Sequence, residues 1–255
     1  MNAQKPDNQA KRFVQMAKQF HPALLGEIGP AKSLQISINR NNHKILLALY
    51  EHWQQKYPEA GKAYWSARCW TLLIWQPIFL CIVAVHGGQQ LLPLNKIHQH
   101  YSQGVVAGFN LSTDELPSTG EPLLINQMAQ ELGSYCETLI TQCQLAFGLR
   151  PLLAIRLAAD TLLSALLGLP ALIPSIELAT TKDLADRWLL TLGWQQQSAL
   201  MPIQLTNGSS RLALNRKSCC FDYCRDDGAV CSSCPRQSLA IRKMRIAEEL
   251  SAHYA

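Results

Sequence analysis

The chain has 255 residues, 48% of them hydrophobic and only 16% charged, with a formal net charge of +5. That length buries a substantial core as one large domain or two small ones. Its polar first residues, Met1-Asn2-Ala3-Gln4-Lys5, lack the apolar stretch of a secretory signal, so the expected setting is the reducing cytoplasm.

In chain order, residues 7–22 and 42–57 read as short amphipathic helices. Residues 59–75 read as a helix whose three tryptophans, Trp65, Trp70 and Trp75, serve mostly as core. The stretch 69–85 is apolar except for Thr71, Gln76 and Pro77. It is only about as long as the shortest membrane-spanning helices, and Gln76-Pro77 interrupts it. The expectation is therefore the end of a buried helix followed by a buried strand over 78–85, with peripheral membrane contact left open. His86-Gly87-Gly88 follows as a turn, and residues 91–94 and 104–109 are expected to pair with that strand in a small antiparallel sheet. Residues 111–122, rich in Ser, Thr, Pro and Gly, form a loop or a boundary between two lobes.

The second half is helical. Residues 123–149 keep helical apolar spacing and stop before Arg150-Pro151. Pro151 suits the first turn of a helix running to Leu167 and closed by Gly168. A further helix spans 182–192, and residues 203–205 and 211–214 flank Asn207-Gly208 as a hairpin. After a cysteine-rich stretch, residues 235–253 form a closing helix. The fold class is thus α+β, predominantly helical, with a body over 1–210 and a metal-binding segment over 211–255.

That segment dominates the functional reading. Of nine cysteines, five crowd together as Cys219, Cys220, Cys224, Cys231 and Cys234. Leaving out Cys224, the pattern is Cys-Cys, ten residues, then Cys-x-x-Cys. Dense thiols in a reducing compartment point to soft metal, either one zinc or a 2Fe–2S cluster. A vicinal pair is awkward for one tetrahedral zinc and easier for ligands spread over two irons, but spacing alone leaves both open. Cys224 reads as a spare, non-ligand thiol. Cys69, Cys81, Cys136 and Cys143 stand in apolar surroundings as small core residues. Between Arg211 and Arg245 eight basic residues accompany only Asp222, Asp226 and Asp227. A solvated basic face is the ordinary reading of such a run; the sharper one is that it offsets a thiolate-bound metal and attracts an acidic partner.

Other sites are weaker. His98 and His100 lie on one face of a strand without an acidic or thiol neighbour, and core roles suit them better than metal ligation. His86-Gly87-Gly88 has no Gly-x-Ser-x-Gly nucleophile elbow to accompany it. Neither a dinucleotide fingerprint nor a phosphate loop is present, so a redox role requires electrons from another protein. The tail does not match the helix-presenting zinc motifs of DNA readers, and no nucleic-acid partner is expected.

The tail, Arg216-Lys217-Ser218-Cys219-Cys220-Phe221-Asp222-Tyr223 followed by Cys231-Ser232-Ser233-Cys234-Pro235, resembles the FhuF-type ferric siderophore reductases. Those proteins are of similar length and end in Cys-Cys-x10-Cys-x2-Cys; the match covers about the last forty residues. The resemblance implies a 2Fe–2S cluster on Cys219, Cys220, Cys231 and Cys234. It also implies a ferric siderophore of hydroxamate type as substrate and an electron donor such as a ferredoxin or flavodoxin-type carrier. Arg216, Lys217, Arg225 and Arg236 become candidates for tuning the potential or steering the donor or substrate. The alternative is a zinc-stabilised binding or regulatory protein with a basic tail.

Overall fold

A computed structural model of the chain describes residues 7–118 and 121–254. The elements, in order, are α1 (Asp7–Phe20), β1 (Gly26–Ile28), β2 (Gln35–Ser37), α2 (His43–Lys56) and α3 (Gly61–Ile82). Then come β3 (Ile97–Ser102), β4 (Val105–Leu111), α4 (Glu121–Phe147), α5 (Pro151–Leu167) and α6 (Leu178–Thr191). The chain closes with β5 (Leu200–Gln204), β6 (Ser210–Leu214) and α7 (Leu239–Tyr254). The result is mostly helical, with a small four-stranded sheet and a separate two-stranded one.

The four-stranded sheet has the order β1-β4-β3-β2 and is mixed, since β1 runs parallel to β4. This corrects the expected sheet. Residues 78–85 are no strand; α3 continues through Pro77 to Ile82 and ends in a π-helical turn, Val83–Gly87. Residues 91–94 also lie outside the sheet, and β4 pairs with β3 rather than with residues 78–85. The physical reason is specific. Pro77 has no N–H to offer the carbonyl of Leu73 one turn back. Gln99 on β3 supplies the missing donor, its Nε2 standing 2.9 Å from that oxygen. With the orphan carbonyl satisfied inside the core, the helix passes through its proline.

One apolar core runs from Ala10 to Trp194, joining residues on both sides of the 112–118 loop. At its centre α3 lies against α5, and Trp70, fully buried, donates from its indole Nε1 to the Ala154 carbonyl at 2.8 Å. Trp65 and Trp75 are only partly buried and donate to the carbonyls of Tyr57 and Val106. Two helical stretches, Pro58–Gly87 and Pro151–Ala171, are long and apolar enough to cross a membrane. In the folded chain 72% and 56% of their apolar windows are buried, which is what core helices require.

A second, smaller core joins Met201, Ile203, Leu205 and Ala213 of the hairpin region to Ile246 of α7. The hairpin turns at Asn207-Gly208, where Gly208 adopts φ +81° and Leu205 pairs with Ser209. Between hairpin and α7 hangs the cysteine segment.

Candidate metal centre

The cysteine segment has almost no regular structure and is held from two directions, α7 and the helical body. From α7, Arg242 donates to the Arg216 carbonyl and to Asn215 Oδ1. Glu249 accepts from Ser232 Oγ at 2.7 Å. Arg245 orients Gln237, whose amide reaches the Cys231 carbonyl at 2.8 Å. From the helical body, Glu59 accepts the Asp226 N–H at 3.2 Å, and Arg225 lies 4.7 Å over the Tyr57 ring. Phe221 and Cys224 pack on the main core. Gly228 is required by close approach, because a Cβ there would stand 2.0 Å from the Asp222 carbonyl oxygen.

Within this frame the backbone turns sharply after the vicinal cysteines. Phe221 sits at φ +62°, ψ +15°, the left-handed region that a side chain of this size rarely adopts. Strain of this kind persists where the surroundings enforce it, and it gathers at functional sites. Its consequence is visible: the Phe221 N–H points at Cys219 Sγ from 3.3 Å, and the Asp222 N–H serves Cys220. Successive N–H groups in such a turn make a nest for negative charge, as at many phosphate and iron–sulfur sites.

The sulfurs form a string. Cys219 and Cys234 are 3.7 Å apart, and the charge on Cys220 is coupled to the thiols of both Cys219 and Cys231. The first proton to leave this set comes from Cys220. Its thiolate is held well below the usual range by the thiols of Cys219 and Cys231, by the Asp222 N–H and by Arg216. Cys219 and Cys231 are pushed up in turn, chiefly as donors to Cys220. Cys234 is buried, while Cys219, Cys220 and Cys231 are half-buried.

Among the described residues no group of three or more His, Cys, Asp or Glu side chains is set to hold a metal ion as it stands. The donors do fit pairwise. Thiolates about 2.3 Å from a tetrahedral metal lie roughly 3.8 Å apart, close to the Cys219–Cys234 separation of 3.7 Å. The other pair, Cys220 with Cys231, likewise takes one sulfur from each side of the ten-residue loop.

The four cations singled out from sequence divide in two. Arg216 is turned inward: its Nε donates to Asp160 Oδ2 at 3.0 Å and its Nη1 approaches Cys231 Sγ at 4.0 Å. Arg225 is ion-paired with Asp222 and Asp227. Lys217 and Arg236 face solvent, Arg236 lying 4.8 Å over the Tyr223 ring. Asp160 was missed by sequence reasoning. Its signal was present, a lone carboxylate in the apolar run Leu157-Ala-Ala-Asp-Thr-Leu-Leu, but its partner lies fifty-six residues away. The histidines have ordinary employment: His98 bonds the hydroxyls of Ser37 and Ser112, and His100 bonds Asn110 Oδ1.

Cavities open elsewhere. One of about 830 Å³ lies between α1, β1 and β4, and another of about 520 Å³ beside His86 and Arg187. Neither is lined by the cysteine segment. No model of a known protein family matches the chain.

Proposed function

We propose that the protein is a ferric-siderophore reductase of the kind its tail resembles, with Cys219, Cys220, Cys231 and Cys234 as ligands of a 2Fe–2S cluster. The observation that carries this reading is the Cys219–Cys234 contact of 3.7 Å across the loop, with Cys220 and Cys231 coupled beside it. Sulfurs strung out in this way suit two adjoining metal ions, whereas a single tetrahedral ion needs all four around one point. Bound there, such a cluster supplies single electrons at a potential set by charge, hydrogen bonds and exposure.

The chain's own residues then divide the work. Phe221 and Asp222 aim N–H dipoles at Cys219 and Cys220, which favours thiolate over thiol. Arg216 adds a half-buried positive charge beside Cys231. Cys219, Cys220 and Cys231 stay half-buried, so a bulky chelate can come near without entering a cavity. Exposed Lys217 and Arg236 draw an acidic one-electron carrier, of ferredoxin or flavodoxin type, or an anionic substrate. The overall reaction moves one electron from that carrier to the substrate's Fe(III). The product Fe(II) fits hard oxygen donors less well, so iron leaves and the siderophore survives. The reading places this chemistry in the cytoplasm, on hydroxamate-type ferric siderophores.

The test is a visible and EPR spectrum of the anaerobically purified full chain, before and after dithionite, with metal analysis on the same sample. About two irons per chain, brown colour, and a signal appearing only on reduction are expected of such a centre. One zinc, no colour and no signal would overturn the reading and leave a zinc-stabilised binding protein.

A further inference from the structure

Behind the sulfur string lies a buried carboxylate with two dedicated donors. Asp160, on α5, is 1% exposed. Its Oδ1 accepts from Ser198 Oγ at 2.6 Å, and its Oδ2 accepts from Arg216 Nε at 3.0 Å. Burying a charge this deeply is costly unless a partner of opposite sign is held in good geometry. The partner here is itself in an unusual place. Tied at Nε, the guanidinium can turn little, and its Nη1 is left facing Cys231 Sγ at 4.0 Å. Arg242 fixes the same residue from the backbone side, through the Arg216 carbonyl at 3.3 Å. Cys219, by contrast, meets the Phe221 N–H and the Cys234 sulfur, and Arg216 is not among the groups acting on it. The half-buried cation therefore bears on the Cys220/Cys231 side of the loop.

We propose that Asp160, backed by Ser198, is a positioning residue: it locks the Arg216 guanidinium against Cys231 as the charge that sets the reduction potential of the metal centre. This rests on the reading of a 2Fe–2S cluster given above. Reduction adds one negative charge to a set of thiolates already negative. A fixed cation a few ångströms away in a poorly hydrated pocket stabilises that added charge more than it stabilises the oxidised form. A lysine or arginine free to swing into water does this far less well, which is why an anchor matters.

The experiment is an anaerobic redox titration of the full-length holoprotein with dithionite, following the visible band, alongside iron content and thermal midpoint. It compares the wild type with Arg216→Gln, Asp160→Asn and the double variant. Arg216→Gln is expected to keep its iron yet be harder to reduce. At the wild-type midpoint its ratio of reduced to oxidised centres should fall about tenfold, which is about 59 mV for one electron. An unchanged potential in an iron-loaded Arg216→Gln protein overturns the proposal. The positioning role is read from coupling. Removing the Asp160 charge alone should raise the potential equally in both backgrounds. If Asp160 acts through Arg216, Asp160→Asn must instead lie lower in the wild-type background than the Arg216→Gln background predicts. Equal shifts in the two backgrounds overturn it. Should Asp160→Asn fail to fold or load iron, Ser198→Ala takes its place in the same cycle. A wild-type chain without iron overturns the reductase reading itself and this inference with it, a result distinct from an iron-loaded chain whose potential ignores Arg216.

Discussion

The nine cysteines of this chain occupy two kinds of surroundings, and the difference lies in the backbone around them. Cys69, Cys81, Cys136 and Cys143 are buried in helices of the main core. Helical N–H groups are already spent on carbonyls one turn back, so none is offered to sulfur. Burial then pushes all four thiols up, and each behaves as a small apolar residue. The cysteines of the tail sit in an irregular loop where N–H groups are free to turn toward them. Phe221 adopts a strained left-handed conformation at that turn, and Cys220 is held low chiefly by the thiols of Cys219 and Cys231, with help from the Asp222 N–H and Arg216. The same side chain is inert in the helices, whereas in the tail Cys220 is primed by its neighbours.

The sharpest break of that comparison is a matched pair of substitutions. Cys231→Ser should strip colour and iron from the protein almost completely, since one sulfur of the string is lost. Cys136→Ala should leave both untouched and cost about 1–3 kcal/mol of stability through its cavity. Iron analysis and denaturant titration of the two variants read the contrast directly. Retention of full iron by Cys231→Ser would remove Cys231 from the ligand set.

A second test acts on the tail as a whole. Its small core contains five buried residues, against the continuous core of the body. So small a cluster contributes little on its own, and bound metal should carry much of the local stability. Removing iron with a chelator should speed amide hydrogen exchange across β5, β6 and α7 by tenfold or more. Exchange in α3 and α5 should stay within a factor of two. Equal loosening of both regions would show that the tail and the body are one cooperative unit.

The body's resistance to ionisation extends to His86, in the π-helical turn. Trp188 Nε1 donates to its Nε2 at 3.0 Å, which requires that nitrogen to be unprotonated. Burial, with help from Arg187, lowers the ring from 6.5 to about 4. The unfolded chain therefore binds the extra proton between about pH 6.5 and 4 while the folded chain refuses it. Stability present above pH 6.5 is lost as pH falls through that window, by about 3 kcal/mol in all. Thermal midpoints of wild type and His86→Gln measured from pH 7 to 4.5 check this, the variant being expected to show the shallower fall. Parallel curves would exclude His86 as the source.

Much of the body was legible because its signals are local. Pro151 and Gly168 bound α5 as expected, and Asn207-Gly208 turns the hairpin. The misreading at 78–85 arose where a local signal was overridden from afar. Pro77 breaks a helix only if the Leu73 carbonyl goes unsatisfied, and the donor that satisfies it, Gln99, is twenty-six residues away. The candidate site divides in the same way. The cysteine spacing was plain in the sequence, as was the local cluster of cations. Which cation turns inward was not, because that depends on Asp160, fifty-six residues earlier in the chain. The parallel pairing of β1 with β4 was hidden too, since strands of three residues carry almost no periodic signal.

Cys224 tests where the line between the two regions falls. It belongs to the tail by sequence, within a short 3-10 turn of residues 222–224. Yet it packs against the main core, as the body cysteines do. Its N–H is spent on the Phe221 carbonyl at 2.9 Å, and the sulfur string runs Cys234, Cys219, Cys220, Cys231 without it. A thiol placed like this is expected to be a packing group and no ligand. Cys224→Ser should keep full iron and colour, and its cost should stay below about 1 kcal/mol, that of a half-buried site changing one polar atom. Iron content and the visible spectrum decide it. Loss of colour here would mean that Cys224 displaces one of the vicinal pair, since Cys220 and Cys224 are themselves spaced for a shared metal. The string of four would then be the wrong ligand set, and the tail would have to rearrange around its metal.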